Sequence, residues 1–266
     1  MRSAEITASI VGTGNIAWHL INALEQAGIR VAEVSTRKKK NARDLTGYTY
    51  DVTVKTDLDF RDSPSKLFIL AISDDAIESV AGSIILPEDS VLVHTSGAKG
   101  MSELTDSLNQ NEISLGVFYP LMTFTRGIPV DFKQVPMCIE GEDDQTLAFL
   151  MKVAGKLSKE VHQVSSRQRA VLHLSAVFGC NFVNHLWALS KEIIEEEELD
   201  FDILKPLIKE TFLKGMKAEH PAEVQTGPAL RHDGSTIAKH KSLIKDDKDL
   251  SKVYKTLTKS IQDWHQ

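Results

Sequence analysis

The sequence predicts an α/β fold in which a doubly wound, mostly parallel sheet is followed by an all-α C-terminal domain. Three observations support this prediction. Short apolar runs alternate with helical or turn-rich segments up to about residue 160, a glycine turn follows the first apolar run, and the last third of the chain has helical periodicity. Strands that are apolar throughout are typical of a parallel sheet with helices on both faces.

The first predicted strand leads directly into the glycine turn. Residues 6–17 read Ile-Thr-Ala-Ser-Ile-Val-Gly-Thr-Gly-Asn-Ile-Ala, and a helical pattern follows. In this G-x-G-x-x-A pattern Gly12 allows a tight turn, Gly14 leaves room for a pyrophosphate, and Ala17 lets the helix pack closely on the strand. The N–H groups at the helix start would face the phosphates. A plain strand–helix turn is the alternative. The predicted dinucleotide site consists of Gly12, Thr13, Gly14, Asn15, Ile16 and Ala17.

The end of the second strand predicts which dinucleotide binds. The strand is followed by Ser35-Thr36-Arg37-Lys38-Lys39-Lys40, and the nearby acid Glu33 falls inside the strand. An NAD enzyme usually has an acidic residue at the strand end, where it binds the ribose 2′-hydroxyl. Hydroxyls and a guanidinium suit a 2′-phosphate instead. We therefore predict NADP as the cofactor, with the alternative that the basic residues only solvate a helix start. The predicted 2′-phosphate ligands are Ser35, Thr36 and Arg37.

Composition excludes several classes of function. The 266 residues carry a formal net charge of −6, so no global positive field attracts nucleic acid. Cys138 and Cys180 lie far apart, which is typical of small buried residues in a reducing compartment. The chain shows neither an export signal nor an apolar stretch that suits a membrane span. We therefore expect a cytoplasmic protein that binds neither nucleic acid nor membrane. We also expect no metal site, since the histidines and acids lack ligand spacing.

The remaining elements are predicted from apolar runs and helical periodicity. Further strands are predicted at residues 67–72, 90–94, 113–118, 135–140 and 160–164. Helices are predicted at residues 144–157, 167–198, 202–217 and from 237 onward. We place the domain boundary near residue 164. Residues 1–164 are predicted to form a Rossmann-type NADP-binding domain, and residues 165–266 a helical domain for substrate binding and dimerisation.

Five motifs along the chain carry a family resemblance. They are Gly12-Thr13-Gly14-Asn15, His94-Thr95-Ser96-Gly97, Tyr119 to Phe124, Asn181 to His185 and Gln225 to Ala229. Over essentially its full length the chain resembles NADP oxidoreductases that join a Rossmann-like N-terminal domain to a helical C-terminal domain of unknown function. These are relatives of pyrroline-5-carboxylate reductase and of deazaflavin-dependent NADP reductases. The resemblance implies fold and cofactor and leaves the substrate open. Many members have His-Pro at Tyr119-Pro120, so the resemblance assigns no proton transfer to this position.

The strand ends supply the first catalytic candidates, because ligands of open α/β sheets bind beyond the carboxyl ends of the strands. Ser73 and Asp74 follow the predicted strand at residues 67–72, and His94, Thr95 and Ser96 lie at the end of the one at residues 90–94. We expect both loops to border the nicotinamide half of the cofactor. His94 could donate a proton to a carbonyl or imine. Alternatively, His94 bonds local backbone while its two neighbours form a turn.

The predicted long helix supplies a second group of polar residues. At 100° per residue, His173, Val177, Cys180, Asn181 and Asn184 fall on about one face. Asn181 and Asn184 could orient a carbonyl or the nicotinamide carboxamide in a cleft. Alternatively, they could bond neighbouring helices or groups across a dimer interface. We interpret His173 and His185 as structural.

The connector at residues 221–234 contains many polar residues and reads as a shaped loop. Its Arg231 could clamp a substrate carboxylate with two hydrogen bonds. Alternatively, an Arg231–Asp233 pair or a helix cap holds the loop. The resemblance favours the functional interpretation.

Together these observations predict an NADP(H)-dependent oxidoreductase that transfers hydride to or from a small carbonyl or imine substrate. The alternative is a non-catalytic NADP(H)-binding protein with a regulatory or sensing role. A helical interaction protein with a relic Rossmann half is disfavoured by the intact glycine motif. The relatives pair through their helical domains, and the apolar helix at residues 170–187 could bury a matching surface, so we expect a homodimer.

Overall fold

The protein is described from a computed structural model, which covers residues 6–38, 40, 45 and 52–266. Within these residues one sheet has the strand order β3-β2-β1-β4-β5-β6-β7-β8. Its strands are β1 (Thr7–Val11), β2 (Arg30–Ser35), β3 (Thr53–Lys55), β4 (Leu67–Leu70), β5 (Val91–His94), β6 (Ser114–Pro120), β7 (Met137–Gly141) and β8 (Val161–Gln163). Neighbouring strands are parallel except β6 and β7, which are antiparallel. The predicted doubly wound, mostly parallel sheet is confirmed.

The α-helices of the described residues are numbered here in chain order. They are α1 (Asn15–Gln26), α2 (Ile77–Ala81), α3 (Ser102–Thr105), α4 (Asp144–Leu157), α5 (Ser166–Ala176), α6 (Val183–Glu195), α7 (Lys205–Lys217), α8 (Gly234–Leu243) and α9 (Lys248–Trp264). A π-helix, Val177–Phe182, connects α5 to α6. None of the helices described here is both long and apolar enough to cross a membrane.

The sheet reverses its winding direction at β1. This strand pairs with β2 on one side and with β4 on the other. The strands before β4 are therefore added on one side of β1, and the later strands are added on the other side. In such sheets the ligand crevice lies beyond the carboxyl end of the strand where the order reverses. The glycine turn follows β1 and therefore lies at this point.

Local sequence accounts for the boundaries of several elements. All four residues of β4 have no exposed surface, as the continuous apolar run predicts. Helix α1 ends before Gly28, whose φ of 72° is a left-handed conformation that glycine adopts without steric penalty. Helix α4 begins after Asp143, whose carboxylate accepts a hydrogen bond from the Thr146 N–H at 2.7 Å. This cap and the apolar periodicity explain why the predicted bounds of α4 are confirmed.

The predicted long helix is helical but not uniform. Helices α5 and α6 fall inside the predicted range, but the six residues between them form a π-helix. A π-turn closes i→i+5 hydrogen bonds and so turns by a smaller angle per residue than an α-helix. The expectation that His173, Val177, Cys180, Asn181 and Asn184 share one face assumes 100° per residue throughout. This geometry does not hold across residues 177–182, so the shared face stays a prediction.

Contacts within the chain divide it into two units, Met1–Val177 and Phe178–Gln266. Helix α5 thus belongs with the sheet, whereas the sequence places the boundary near residue 164. The boundary near residue 164 stays a prediction. The first unit has an extensive apolar core on the sheet. In the second unit, residues 178–266, the buried apolar side chains are Ala229 and Ile237.

Candidate cofactor site and active site

The glycine turn after β1 is fixed by a close contact with the neighbouring strand. Gly12 has a φ of 119°, and a Cβ atom at this position would overlap the carbonyl oxygen of Ala71, just beyond β4. Its N–H donates to the Ser35 carbonyl at the end of β2, at 2.9 Å. Gly12 is therefore required by the fold itself, since it lets the backbones at the ends of three adjacent strands approach one another.

The second glycine has a different environment. Gly14 precedes the first residue of α1 and has an extended conformation, with a φ of −75° that any residue can adopt. No side chain caps the helix start, and a Cβ atom at Gly14 would meet no atom within 4 Å. The N–H groups at a helix start carry partial positive charge and need acceptors. An exposed helix start without a side-chain cap, at the reversal point of the sheet, fits a phosphate group.

The other residues of the predicted dinucleotide site surround this helix start. Ala17 is fully buried, so α1 packs closely on the sheet. The Thr13 hydroxyl lies 3.4 Å from that of Thr36, which connects the glycine turn to the end of β2. Asn15 is exposed, and its side-chain amide donates to the Phe124 carbonyl at 3.0 Å. These contacts bring the predicted diphosphate and 2′-phosphate regions together.

The loop that follows β6 reaches the start of α1. Besides the Asn15 contact, the His19 ring lies 3.1 Å from the Thr125 carbonyl. The Arg126 guanidinium donates to the carbonyl of Thr13, at 2.5 Å. A guanidinium therefore lies beside the glycine turn, where the diphosphate of a dinucleotide would need a cation. Sequence reasoning missed Arg126, although it lies two residues beyond a motif that carries the family resemblance.

At the end of β2 the three predicted 2′-phosphate ligands differ in availability. Ser35 is buried, and its hydroxyl donates to the Asp57 carbonyl at 2.7 Å. Thr36 is also buried, whereas Arg37 is exposed and pairs with no described residue. Lys39 of the same basic run lies outside the described residues. The geometry therefore favours Arg37 as the residue that can contact a 2′-phosphate.

The Glu33 side chain is bound by neighbouring residues of the sheet, as its position inside β2 indicated. Its carboxylate accepts hydrogen bonds from the hydroxyls of Ser9 and Ser63. Lys55 Nζ lies 3.9 Å from the same carboxylate. These contacts hold Glu33 away from the strand tip, so it does not take the position of a ribose-binding acid.

The loop after β5 uses its polar groups locally. The Ser96 N–H donates to His94 Nδ1 at 3.1 Å, so Nε2 carries the proton of the neutral ring and donates to the Gly100 carbonyl at 3.2 Å. Burial, followed by the charge of Arg169, lowers the pKa of His94 to about 4. At neutral pH the ring is therefore uncharged and both nitrogens are occupied. A role for His94 as proton donor stays a prediction, and this geometry favours the structural alternative.

The neighbours of His94 are similarly arranged. The Thr95 hydroxyl donates to the Leu70 carbonyl at 3.2 Å, and the Ser96 hydroxyl oxygen accepts from the N–H groups of Ala98 and Lys99. Both residues are almost fully buried. They form the turn that the alternative interpretation describes. By contrast Ser73 is exposed and Asp74 is partly exposed, so the loop after β4 retains polar groups that a ligand can reach.

Three segments converge next to this turn, at the carboxyl end of β6. Tyr119 is the penultimate residue of β6, and its hydroxyl lies 3.2 Å from Nδ1 of His173 on α5. A Cβ atom at Gly97 would lie 2.7 Å from His173 Nδ1 and 2.8 Å from the Tyr119 hydroxyl. A side chain at Gly97 would therefore displace one or both of these rings. Sequence reasoning noted the glycine, the tyrosine and the histidine separately and did not connect them.

A buried ion pair fixes the same loop to α5. Arg169 has no exposed surface, and its guanidinium pairs with the carboxylate of Glu140 on β7 and donates to the Lys99 carbonyl at 2.6 Å. Ser166 also donates to Glu140, at 2.8 Å, and accepts from the Met101 N–H at 3.1 Å. These contacts hold the loop after β5, the start of α5 and β7 together.

The two remaining catalytic candidates belong to the second unit. Asn181 lies in the π-helix with its side chain exposed, and Arg231 is exposed in the connector. Asp233 caps α8, since its carboxylate accepts from the Thr236 N–H at 3.0 Å and from the Thr236 hydroxyl at 2.7 Å. These hydrogen bonds lower the pKa of Asp233 to about 2. A role in the reaction for Asn181 or Arg231 stays a prediction.

Fold and site together define the class of protein. A glycine turn at the reversal point of a parallel sheet, an uncapped helix start and a strand end without an available acid are the features of a dinucleotide-binding protein of the Rossmann type. Residues 135–261 also match the model of a family described as a domain of unknown function, DUF2520. A search of curated proteins finds no match to the sequence.

Solved structures identify the family. The chain is 35% identical to a candidate NADP oxidoreductase from Bacteroides fragilis over 97% of this chain and 98% of that one, with a TM-score of 0.88. The chain belongs to the family of this NADP oxidoreductase, which confirms the resemblance that the motifs indicated.

Two more distant structures share the fold. A reductive aminase from Aspergillus terreus, in complex with NADPH and ethyl-5-oxohexanoate, is 12% identical over 97% of this chain and 93% of that one, with a TM-score of 0.70. A 1-pyrroline-5-carboxylate reductase from Streptococcus pyogenes is 13% identical over 98% of both chains, with a TM-score of 0.63. At these identities the likeness shows the fold alone.

Proposed function

We propose that the protein transfers hydride between NADP(H) and a small carbonyl or imine substrate. Its family makes it an oxidoreductase with NADP(H) as cofactor, and the substrate class is the new part of the proposal. A bound NADPH would supply the hydride, while the protein positions the substrate and provides the proton. Carbonyls and imines are suitable acceptors, because their reduction needs one hydride and one proton and no metal ion.

The observation that carries the cofactor assignment is the helix start at Gly14. It combines an open space, an uncapped helix N-terminus and the Arg126 guanidinium in one place. This combination supplies N–H donors and a cation to a diphosphate. Gly12 does not contribute to this argument, since the fold itself requires a glycine there.

Preference for NADP over NAD is assigned to Arg37. This exposed guanidinium follows β2, and Glu33, the acid nearest to it in sequence, is engaged by Ser9 and Ser63. A guanidinium stabilises a 2′-phosphate, and an absent acid removes the repulsion that would exclude one. The strand end therefore favours the phosphorylated dinucleotide.

A titration with NADPH and separately with NADH, followed by nicotinamide fluorescence, tests this assignment. We expect Arg37→Ala to weaken NADPH binding about tenfold or more and to leave NADH binding unchanged, because a hydrogen bond to a charged group contributes about 1.5–3 kcal/mol. Arg30→Ala is the matched control, since Arg30 is an exposed arginine at the opposite end of the same strand. Equal loss of both dinucleotides would contradict the role given to Arg37.

The second candidate function is NADP(H) binding without turnover. The observation in its favour is that both ring nitrogens of His94 are occupied. A panel of aldehydes, ketones and imines separates the two functions, with NADPH oxidation measured by absorbance. Reduction of any member supports the enzyme. Tight NADPH binding with no turnover across the panel supports a regulatory or sensing role.

We also propose that two copies of the chain form a homodimer through the helical unit. Large apolar side chains on its helices are exposed, among them Leu207, Phe212 and Met216 on α7 and Trp264 on α9. An apolar cavity of about 290 Å³ opens between Trp187, Phe201 and α7. Residues 178–266 bury only two apolar side chains, so this unit lacks a core of its own, and exposed apolar surface on this scale marks an interface. A second copy of the chain is the partner that we propose for this apolar surface.

Light scattering tests the dimer. We expect a mass of twice the 29.5 kDa of one chain at micromolar concentration, and we expect Phe212→Asp to reduce it. Lys217→Asp is the control, since it introduces the same carboxylate at the end of the same helix. A wild-type mass of one chain would refute the dimer. A cytoplasmic location is a further proposal, based on the sequence.

A further inference from the structure

Tyr119 and His173 form a hydrogen-bonded pair at the carboxyl edge of the sheet. Tyr119 lies near the carboxyl end of β6, and its hydroxyl is 3.2 Å from His173 Nδ1. Strands β1, β4, β5 and β6 are parallel, so their carboxyl ends lie at one edge of the sheet. The pair therefore shares this edge with the glycine turn, with the loop after β4, which contains Ser73, and with the loop after β5, which contains Gly97.

The two histidines at this edge are in opposite situations. Both nitrogens of His94 are bonded to its own loop, and the ring is fully buried. His173 is partly exposed, with Nδ1 bonded to Tyr119 and no bond from Nε2 to any described residue. Of the two, only His173 presents a nitrogen that can exchange a proton with a ligand.

A purely structural role for His173 explains this arrangement less well than a role in proton transfer. A histidine in the last turn of a helix can stabilise the helix dipole, but α5 continues directly into the π-helix and has no free carboxyl end. Burial raises the pKa of Tyr119 to about 12. Its hydroxyl therefore stays protonated at neutral pH and can hold the neighbouring ring without losing a proton itself.

We propose that His173 is the proton donor of the reaction and that Tyr119 positions it. This inference rests on the proposed function. The Tyr119 oxygen accepts a hydrogen bond from Nδ1–H of His173, which leaves Nε2 as the nitrogen that loses and regains a proton. Gly97 is the third component, since any side chain there would separate the two rings.

The chemical balance of the step is simple. Hydride from NADPH forms the new C–H bond, and NADP⁺ is the oxidised product. As the C=O or C=N π bond breaks, its electron pair forms an O–H or N–H bond with the proton that leaves Nε2 of His173. The neutral imidazole keeps its proton on Nδ1, bonded to Tyr119. In the reverse direction the same nitrogen accepts the proton.

The charged and titratable groups around the pair come from several elements. Asp74 beyond β4, Cys138 on β7 and Arg169 on α5 all act on the electrostatics of Tyr119. Asp74 and Arg169, together with Glu140 on β7, also act on the electrostatics of His94 in the neighbouring loop. These charged groups therefore surround the site at which His173 would transfer the proton.

Nuclear magnetic resonance of the histidine rings tests the proposal without a substrate. We expect the ring signals of His173, assigned by their loss in His173→Asn, to move on addition of NADPH and to move again when NADP⁺ replaces it. The oxidised nicotinamide ring is positively charged, and a new charge within several ångströms perturbs an imidazole. His240 is the internal control, because its Nδ1 lies 2.9 Å from the Tyr254 hydroxyl in the second unit.

Each outcome of this experiment decides a separate point. Loss of all dinucleotide binding in the wild type would refute the proposed function and the inference with it. Binding with His173 signals that respond no more than those of His240 would overturn the inference alone. A response of His173 that distinguishes NADP⁺ from NADPH supports it.

Kinetics with any substrate that the panel identifies supply the second readout. We expect His173→Asn to lower kcat about 100-fold or more, to change NADPH affinity less than about threefold, and to remove the fall in rate at high pH. Tyr119→Phe is expected to keep that fall but move its position, whereas Tyr254→Phe changes neither. An unchanged pH profile in His173→Asn would assign the histidine to structure.

Discussion

Replacement of Gly14 by alanine separates the needs of the cofactor from those of the fold. Gly14 has a φ of −75°, and a Cβ atom there would meet no protein atom within 4 Å. Alanine loses some of the helix-start preference of glycine, but it also restricts the unfolded chain, and each effect is about 1 kcal/mol or less. We therefore expect the free energy of unfolding to change by less than about 1 kcal/mol, measured by denaturant titration.

Cofactor binding responds differently to the same change. The new methyl group would occupy the space in front of the helix start, where the diphosphate approaches the N–H groups. Displacement of the phosphate loses at least one charge-assisted hydrogen bond of about 1.5–3 kcal/mol. Because about 1.4 kcal/mol corresponds to a factor of ten, we expect the Kd for NADPH to rise about 10- to 100-fold, measured by fluorescence titration.

Gly12→Ala is the matched control two residues earlier in the same turn. A Cβ atom there would overlap the Ala71 carbonyl oxygen, and the φ of 119° is unfavourable for alanine. We expect a loss of about 3 kcal/mol or more in the free energy of unfolding. A Gly14→Ala protein that is folded and binds NADPH as tightly as the wild type would refute the placement of the diphosphate.

Two further predictions concern His94 and Arg126. Because the pKa of folded His94 is lowered to about 4 from 6.5, the unfolded chain binds a proton between these values that the folded chain does not. Stability is therefore complete above pH 6.5 and falls as the pH decreases towards 4, by up to about 3 kcal/mol. His94→Asn should flatten this slope in denaturant titrations across the range, and an unchanged slope contradicts the assignment. Arg126→Gln should weaken NADPH and NADH about equally, by roughly tenfold, and a selective loss of NADPH would place this guanidinium at the 2′-phosphate instead.

Much of the first unit could be predicted because its signals are local. The strand–glycine–helix order at β1 and α1 and the bounds of α4 depend on apolar periodicity and on residues such as Asp143 that cap their own helix. The position of Glu33 inside β2, and hence its absence from the strand tip, also follows from counting residues along one strand. Such features need no knowledge of distant contacts.

The features that could not be predicted arise from distant contacts. His94 reads as a catalytic candidate, yet its neutral state follows from burial and from Arg169, far along the chain. Arg126 reaches the glycine turn only because the loop after β6 folds back to α1. The π-helix between α5 and α6 changes the hydrogen-bond register without a proline, and the single Gly179 in its sequence does not specify such a change. Residues 177–182 therefore look α-helical from sequence alone.

The buried ion pair of Arg169 and Glu140 couples the stability of the fold to the geometry of the site. Arg169 is fully buried, and its loss would leave the Glu140 carboxylate without its counter-charge and the Lys99 carbonyl without its donor. Removal of one partner from a buried pair costs about 3–5 kcal/mol. We expect Arg169→Met to lower the free energy of unfolding by this amount and to increase amide hydrogen exchange at residues 97–101.

Lys99→Met distinguishes this effect from a general loss of charge in the same loop. The Lys99 side chain pairs with Glu103 at 3.4 Å across a partly exposed surface, and such pairs contribute about 0–1 kcal/mol. Its carbonyl still accepts from Arg169, so the loop should keep its protection from exchange. If Arg169→Met and Lys99→Met had equal effects on exchange, the buried cation would not be what holds Gly97 against Tyr119 and His173. A larger effect of Arg169→Met means that one buried charge fixes the backbone between the two rings.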